Sequence, residues 1–262
     1  MRFKVRRLRI KVFLFFLLFT VHYSLFTVSY AAHPLITDDT GTQGKGKFQL
    51  ELNGEYGRED EDGVTTNTTE ASTILSYGVI NNVDIVFGIP YQYVRAKDSG
   101  AAFTEDGVSD ASIELKWRFY ERKGLSLALK PGITLPTGDE EKGLGAGRST
   151  YSLFFITTKE IEPWAFHLNL GYMRNDNKAD ERKNLWHASL ASTVEVVKDL
   201  EVVVNIGIEK DTERNSNIDP AFILGGLIYS VSENFDIDFG IKHELTKPET
   251  DYSVLAGITW RF

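Results

Sequence analysis

Apolar and polar side chains alternate with a period of two along almost the whole chain, and no stretch keeps a helical period. Phe48, Leu50, Leu52 and Tyr56 share one face of an extended segment, opposed by Gln49, Glu51, Asn53 and Glu55. The scheme repeats in Val83, Ile85, Phe87, Ile89, Tyr91 and Tyr93. It returns in Ile113, Leu115, Trp117 and Phe119, set against Glu114, Lys116 and Arg118. Further segments are 125–135, 164–172 and 202–208, and then Phe235, Ile237, Phe239 and Ile241 set against Asp236, Asp238, Lys242 and Glu244. Stretches near 70–78, 150–159, 185–197 and 219–231 alternate less cleanly. About twelve strands result, in an all-β chain.

The last eleven residues alternate up to an aromatic terminus. Tyr252, Val254, Ala256, Ile258, Trp260 and Phe262 fall on one face, and Ser253, Gly257, Thr259 and Arg261 on the other, with Leu255 the one apolar intruder. Left unpaired, such a strand would be an exposed edge; closing the sheet on itself removes it. Connections alternate between tight (80–82, 122–124, 161–163, 198–199, 232–234) and long (58–68, 95–108, 137–149, 174–184, 210–218), with a shorter one at 246–250. Short periplasmic turns and long outer loops are the habit of a transmembrane barrel. A soluble barrel would place the same Phe, Trp and Leu face inward. Seventeen Phe, four Trp, aromatics near strand ends (Tyr56, Tyr93, Trp117, Trp164, Tyr172, Trp260) and terminal Phe262 favour the lipid-facing phase. The expectation is a closed antiparallel transmembrane β-barrel over 47–262, in a bacterial outer membrane.

The N-terminus agrees with that compartment. Six basic residues between Arg2 and Lys11 precede an apolar run from Val12 to Val28 and the small residues of Ser29-Tyr30-Ala31, so 1–31 reads as a signal peptide. Its removal takes away six basic side chains and no acidic one, moving the formal charge from −8 to −14. So acidic a chain is a poor partner for nucleic acid. The absence of Cys excludes disulfides, thiolate metal sites and Cys nucleophiles.

Three stretches resemble a known bacterial family: His33-Pro34-Leu35-Ile36-Thr37-Asp38-Asp39-Thr40-Gly41-Thr42-Gln43-Gly44, Leu135-Pro136-Thr137-Gly138-Asp139, and Asn234 through Phe262. The family is "Putative MetA-pathway of phenol degradation". The resemblance implies an outer-membrane barrel passing small molecules, aromatic or other hydrophobic compounds among them. It carries no catalytic motif onto this chain.

Charged residues on the polar face would point into the lumen. Glu114, Lys116, Arg118, Asp236, Asp238, Lys242 and Glu244 are the candidate pore-lining set, able either to select a permeant or to pair across strands. Residues 32–46 have no alternation and form a periplasmic N-terminal segment or a small plug, with His33, Asp38 and Asp39 as its candidate gate residues. His187 and Ser189 share a strand face, the minimal arrangement of a base beside a nucleophile, without a clear third group in the sequence. That leaves a lipid-modifying enzyme, beside a surface barrel with no through-channel, as alternatives to a non-enzymatic channel. Gly143-Leu144-Gly145-Ala146-Gly147-Arg148-Ser149 lacks the Lys and the following helix of a phosphate loop and reads as a flexible outer loop. No cofactor or metal is expected. The expected partners are outer-membrane lipid, the barrel-assembly machinery through the strand ending at Phe262, and a small-molecule permeant.

Overall fold

A computed structural model describes residues 33–61, 64–98, 101–246 and 251–262. The signal-peptide reading of 1–31 lies outside the described residues. Among the described residues thirteen strands follow one another: β1 (Phe48–Glu61), β2 (Val64–Ile80), β3 (Val83–Asp98), β4 (Ala101–Val108), β5 (Ala111–Arg122), β6 (Leu125–Leu135), β7 (Thr150–Ile161), β8 (Trp164–Arg174), β9 (Asn184–Val197), β10 (Leu200–Glu209), β11 (Ala221–Ser232), β12 (Phe235–Glu244) and β13 (Tyr252–Arg261). Each pairs antiparallel with the next, except that β3 carries β4 along Tyr91–Asp98 and β5 along Val83–Gly88. β4 and β5 are therefore two lengths of one stave, interrupted at Ser109–Asp110, and the barrel has twelve staves.

β1 closes on β13 over ten register pairs, from Gln49 with Arg261 to Arg58 with Tyr252. Phe48 and Phe262 exchange backbone hydrogen bonds at 2.8 and 2.9 Å, and their rings stack with centroids 5.5 Å apart. The closure leaves the aromatic last strand no free edge.

The alternation puts large apolar groups outside. Phe87, Trp117 and Phe239 are 42 %, 44 % and 48 % exposed, while Lys116, Asp236 and Asp238 are buried. Carboxylates and ammonium groups face the lumen, and the greasy face demands lipid, because water would be excluded from none of it. No described helix is long and apolar enough to cross a membrane, so crossing falls to the strands.

Two expected loops are strand instead. The described parts of 58–68 and 95–108 are hairpin extensions of β1–β2 and β3–β4. The 17 residues of β2 exceed the roughly 9–11 that cross a bilayer, so the polar excess, rich in β-branched Thr, stands beyond it. One rim thus carries the tight turns and Phe262 (the turn rim); the other carries the longer loops (the loop rim).

The loops are clasped to one another. Asp110, at the interruption of the β4–β5 stave, accepts from the backbone of Gly138 at 2.9 Å and of Ala146 at 2.8 Å. Thr137 Oγ1 donates to the Ser109 carbonyl at 3.0 Å and accepts from the Ala111 N–H at 2.8 Å. The Pro136-Thr137-Gly138 turn is therefore an anchor for the 137–149 loop, and Leu144 is buried beneath it. The glycine-rich 143–149 stretch is held, not free: Lys178 pairs with Glu140 and donates its backbone N–H to Ala146. Arg182 in turn donates to the carbonyls of Asp211, Glu213, Arg214 and Ser216.

Candidate lumen site

Residues 33–46 lie inside the barrel, toward the turn rim, and every few residues the wall holds them. His33 Nδ1 is 2.5 Å from Asp238 Oδ1. Asn205 Oδ1 accepts the backbone N–H groups of Ile36 at 2.9 Å and Thr37 at 3.0 Å, and its amide donates to Thr37 Oγ1. The Thr40 N–H donates to Thr158 Oγ1, and its hydroxyl meets Ser126. Gln43 N–H donates to Asp84 Oδ2 at 2.9 Å, and Thr42 Oγ1 to the carbonyl of Asn81 at the β2–β3 turn.

The strongest tie is ionic. Lys116 Nζ stands 2.8 Å from Asp38 and 3.1 Å from Asp39; Lys130 Nζ stands 3.1 Å from Asp38 and 2.8 Å from Glu114. Burial alone would raise the Asp38 carboxyl, but the two ammonium groups outweigh it and hold the carboxyl well below the usual range.

The wall is shaped for this segment. A Cβ on Gly240 would lie 2.7 Å from Pro34 Cβ, one on Gly226 2.7 Å from Pro34 Cγ, and one on Gly257 2.7 Å from His33 Nδ1. Gly78 lies so close beneath the Gly44 backbone that any side chain would collide. These strand-interior glycines allow close approach of another backbone, and they are the sequence signal that would have placed the segment inside. On the same β10–β13 wall Leu35 packs on Val203, Phe222, Leu224, Ile228 and Leu255, which all turn inward.

The segment does not fill the lumen. A cavity of about 230 Å³ remains between it and the β1–β6 wall, bordered by Glu51, Asp84, Glu114, Lys116 and Lys130. A second, of about 120 Å³, continues along β1 and β2 past Glu55 and Glu70. His33, Leu35, Ile36 and Asn53 border both and so form the partition between them.

The seven candidate pore residues do not form one ring. Glu114 and Lys116 border the larger cavity, and Asp238 holds His33. Asp236 pairs with Arg261 at 2.7 Å near the turn rim, where Arg118 also meets Glu121 and the Asn81 carbonyl. Lys242 pairs with Glu55 at 2.9 Å, and Glu244 stands at the loop end of β12. Asn205, Ser126 and Thr158, which grip the segment, were not singled out by sequence: each is one uncharged polar residue at an inward position.

His187 and Ser189 face the lumen, with Nε2 to Oγ at 2.9 Å. Glu209 on the neighbouring strand supplies the third group that the sequence did not reveal, its Oε2 3.1 Å from His187 Nδ1. Ser189 itself is only 3 % exposed. Phe222 crowds the position beside it at Gly207, and Phe154 stands edge-on to His187. Neither of the two cavities reaches it.

The model of the family "Putative MetA-pathway of phenol degradation" matches residues 31–262. The chain belongs to this family. Among solved structures, this family member is similar to the NanC porin, at 10 % identity and a TM-score of 0.54, over 80 % of this chain and 98 % of that one. It is similar to the KdgM porin at 9 % identity and a TM-score of 0.53, over 82 % and 99 %. The translocator domain of autotransporter NalP from Neisseria meningitidis aligns at 11 % identity and 0.54, over 84 % and 89 %. At such identities the likeness is one of fold: a barrel resembling bacterial outer-membrane porins and translocators. No curated protein matches the chain.

Proposed function

We propose that this member of the MetA-like phenol-degradation family is a non-enzymatic channel of a Gram-negative outer membrane, in which residues 33–45 act as a plug controlling passive passage of small molecules. The observation that carries this reading is the partly filled lumen: a segment tied by Asp38, Asp39 and His33, beside two neighbouring cavities along one wall. A structural barrel without transport has no need for a lumen that is polar and incompletely packed. A lipid-modifying role is disfavoured by the direction of His187 and Ser189, which turn from lipid into a closed corner.

The family description suggests aromatic or other hydrophobic permeants. The inward strip of Val203, Phe222, Leu224 and Leu255 would offer them a surface once Leu35 is withdrawn. Planar-bilayer recording with the purified protein tests the channel: discrete conductance steps support it, and a bilayer silent at all voltages overturns it.

A further inference from the structure

Two buried oxygen acceptors beside the segment are left without a donor. Lys116 and Lys130 each hold two carboxylates at 3.1 Å or less, so neither has a charge to spare for an anion. Asp84 is 1 % exposed and borders the larger cavity; Oδ2 accepts from Gln43, while Oδ1 has no partner. Asn53 Oδ1, at the partition between the two cavities, is likewise a buried acceptor without a donor. An orphaned carboxylate oxygen so deeply buried is costly unless a donor or a cation visits it.

The charges bordering the path point the same way. Glu51, Asp84 and Glu114 line the larger cavity with Asp38 and Asp39, and Glu55 and Glu70 line the smaller; against these seven carboxylates stand Lys116, Lys130, His33 and Lys242, the last paired with Glu55. A narrow passage walled by surplus carboxylate raises the local concentration of cations and repels anions. At about 230 Å³ the larger cavity has room for a small ion with part of its water shell.

We infer that the route past the docked segment selects small cations over anions, with Asp84 as the site at which a passing cation is held. This rests on the channel reading above and assigns its selectivity while residues 33–45 are in place. The ligand chemistry is that of a monovalent cation, inorganic or ammonium-bearing, met by carboxylate and amide oxygen.

The test is the reversal potential of the full mature protein in a planar bilayer under a KCl gradient, with K⁺ as the probe. The wild type should favour K⁺ over Cl⁻ by about threefold or more, as rings of carboxylate do in cation channels. Asp84→Asn keeps an oxygen for the Gln43 N–H but loses the charge. It should bring the ratio at least halfway to unity while the channel still conducts. Asp180→Asn, at an exposed position of an outer loop, should leave the ratio unchanged and so controls for surface charge. A conducting wild type that is unselective or prefers Cl⁻, or an Asp84→Asn channel as selective as the wild type, overturns the inference and leaves the channel reading standing. A silent bilayer overturns both.

Discussion

Lys116 on β5 holds Asp38, 78 residues earlier in the chain, at 2.8 Å inside the barrel. The pair joins the membrane-spanning wall to the segment that precedes it, and Lys130 grips the same carboxylate from the next strand at 3.1 Å. Removing the Asp38 carboxylate takes a partner from two ammonium groups at once and leaves each with a single carboxylate, Asp39 for Lys116 and Glu114 for Lys130.

Asp38→Asn should therefore loosen the segment without unfolding the barrel. Charge-assisted hydrogen bonds are worth about 1.5–3 kcal/mol, so hydrogen exchange of the amides of residues 36–43 should quicken by roughly one to two orders of magnitude while strand amides keep their protection. Equal protection in both proteins would show that the tie carries no docking energy.

Acid should act late. The Asp38 carboxyl is held below its usual range when docked, so its contribution is complete above the ordinary Asp value of about 3.9 and fades only as pH falls toward the docked value. The difference in exchange between wild type and Asp38→Asn should stay constant from neutral pH down to about pH 4 and shrink below it. A difference that vanished at pH 6 would contradict this sign.

Gly240→Ala should displace the segment from the other side. Its methyl would lie 2.7 Å from Pro34 Cβ, and proline cannot fold out of the way. Overpacking of this kind costs about 1–3 kcal/mol. Circular dichroism should report an unchanged barrel while a protease gains access to residues 33–45; continued protection would mean that the recess is not needed.

Orientation is open to a blunt test. Ile206 lies well within β10 on the exposed face, with Leu190 and Ile223 as its register partners. Ile206→Lys should lower folding stability in lipid by about 2–4 kcal/mol, measured by urea unfolding from vesicles. An unaffected variant would argue that this face does not meet acyl chains.

The barrel was legible because its outward face obeys a single rule. From Phe235 to Ile241, or Trp164 to Tyr172, every second residue is apolar, and only lipid on that side requires it. The inner face obeys no such rule, since its residues answer to a segment far away in sequence. Leu255 looked like an intruder because the contact that explains it, Leu35, lies some 220 residues earlier. The described strand extensions within 58–68 and 95–108 carry no alternation that marks them as strand, because neither of their faces has to be apolar beyond the bilayer. His33, Asp38 and Asp39 were named as gate candidates from the sequence, but not which wall groups would hold them. Gly226, Gly240 and Gly257 carried that information and are easily passed over as weak points in strands.

Single-channel recording of the protein with and without residues 33–45 puts the plug itself on trial. The account predicts that both forms conduct and that the deletion gives the larger unitary current, since the remaining lumen of a twelve-stave barrel is wider than the two cavities left beside the segment. Unitary currents that are the same in the two forms would contradict it.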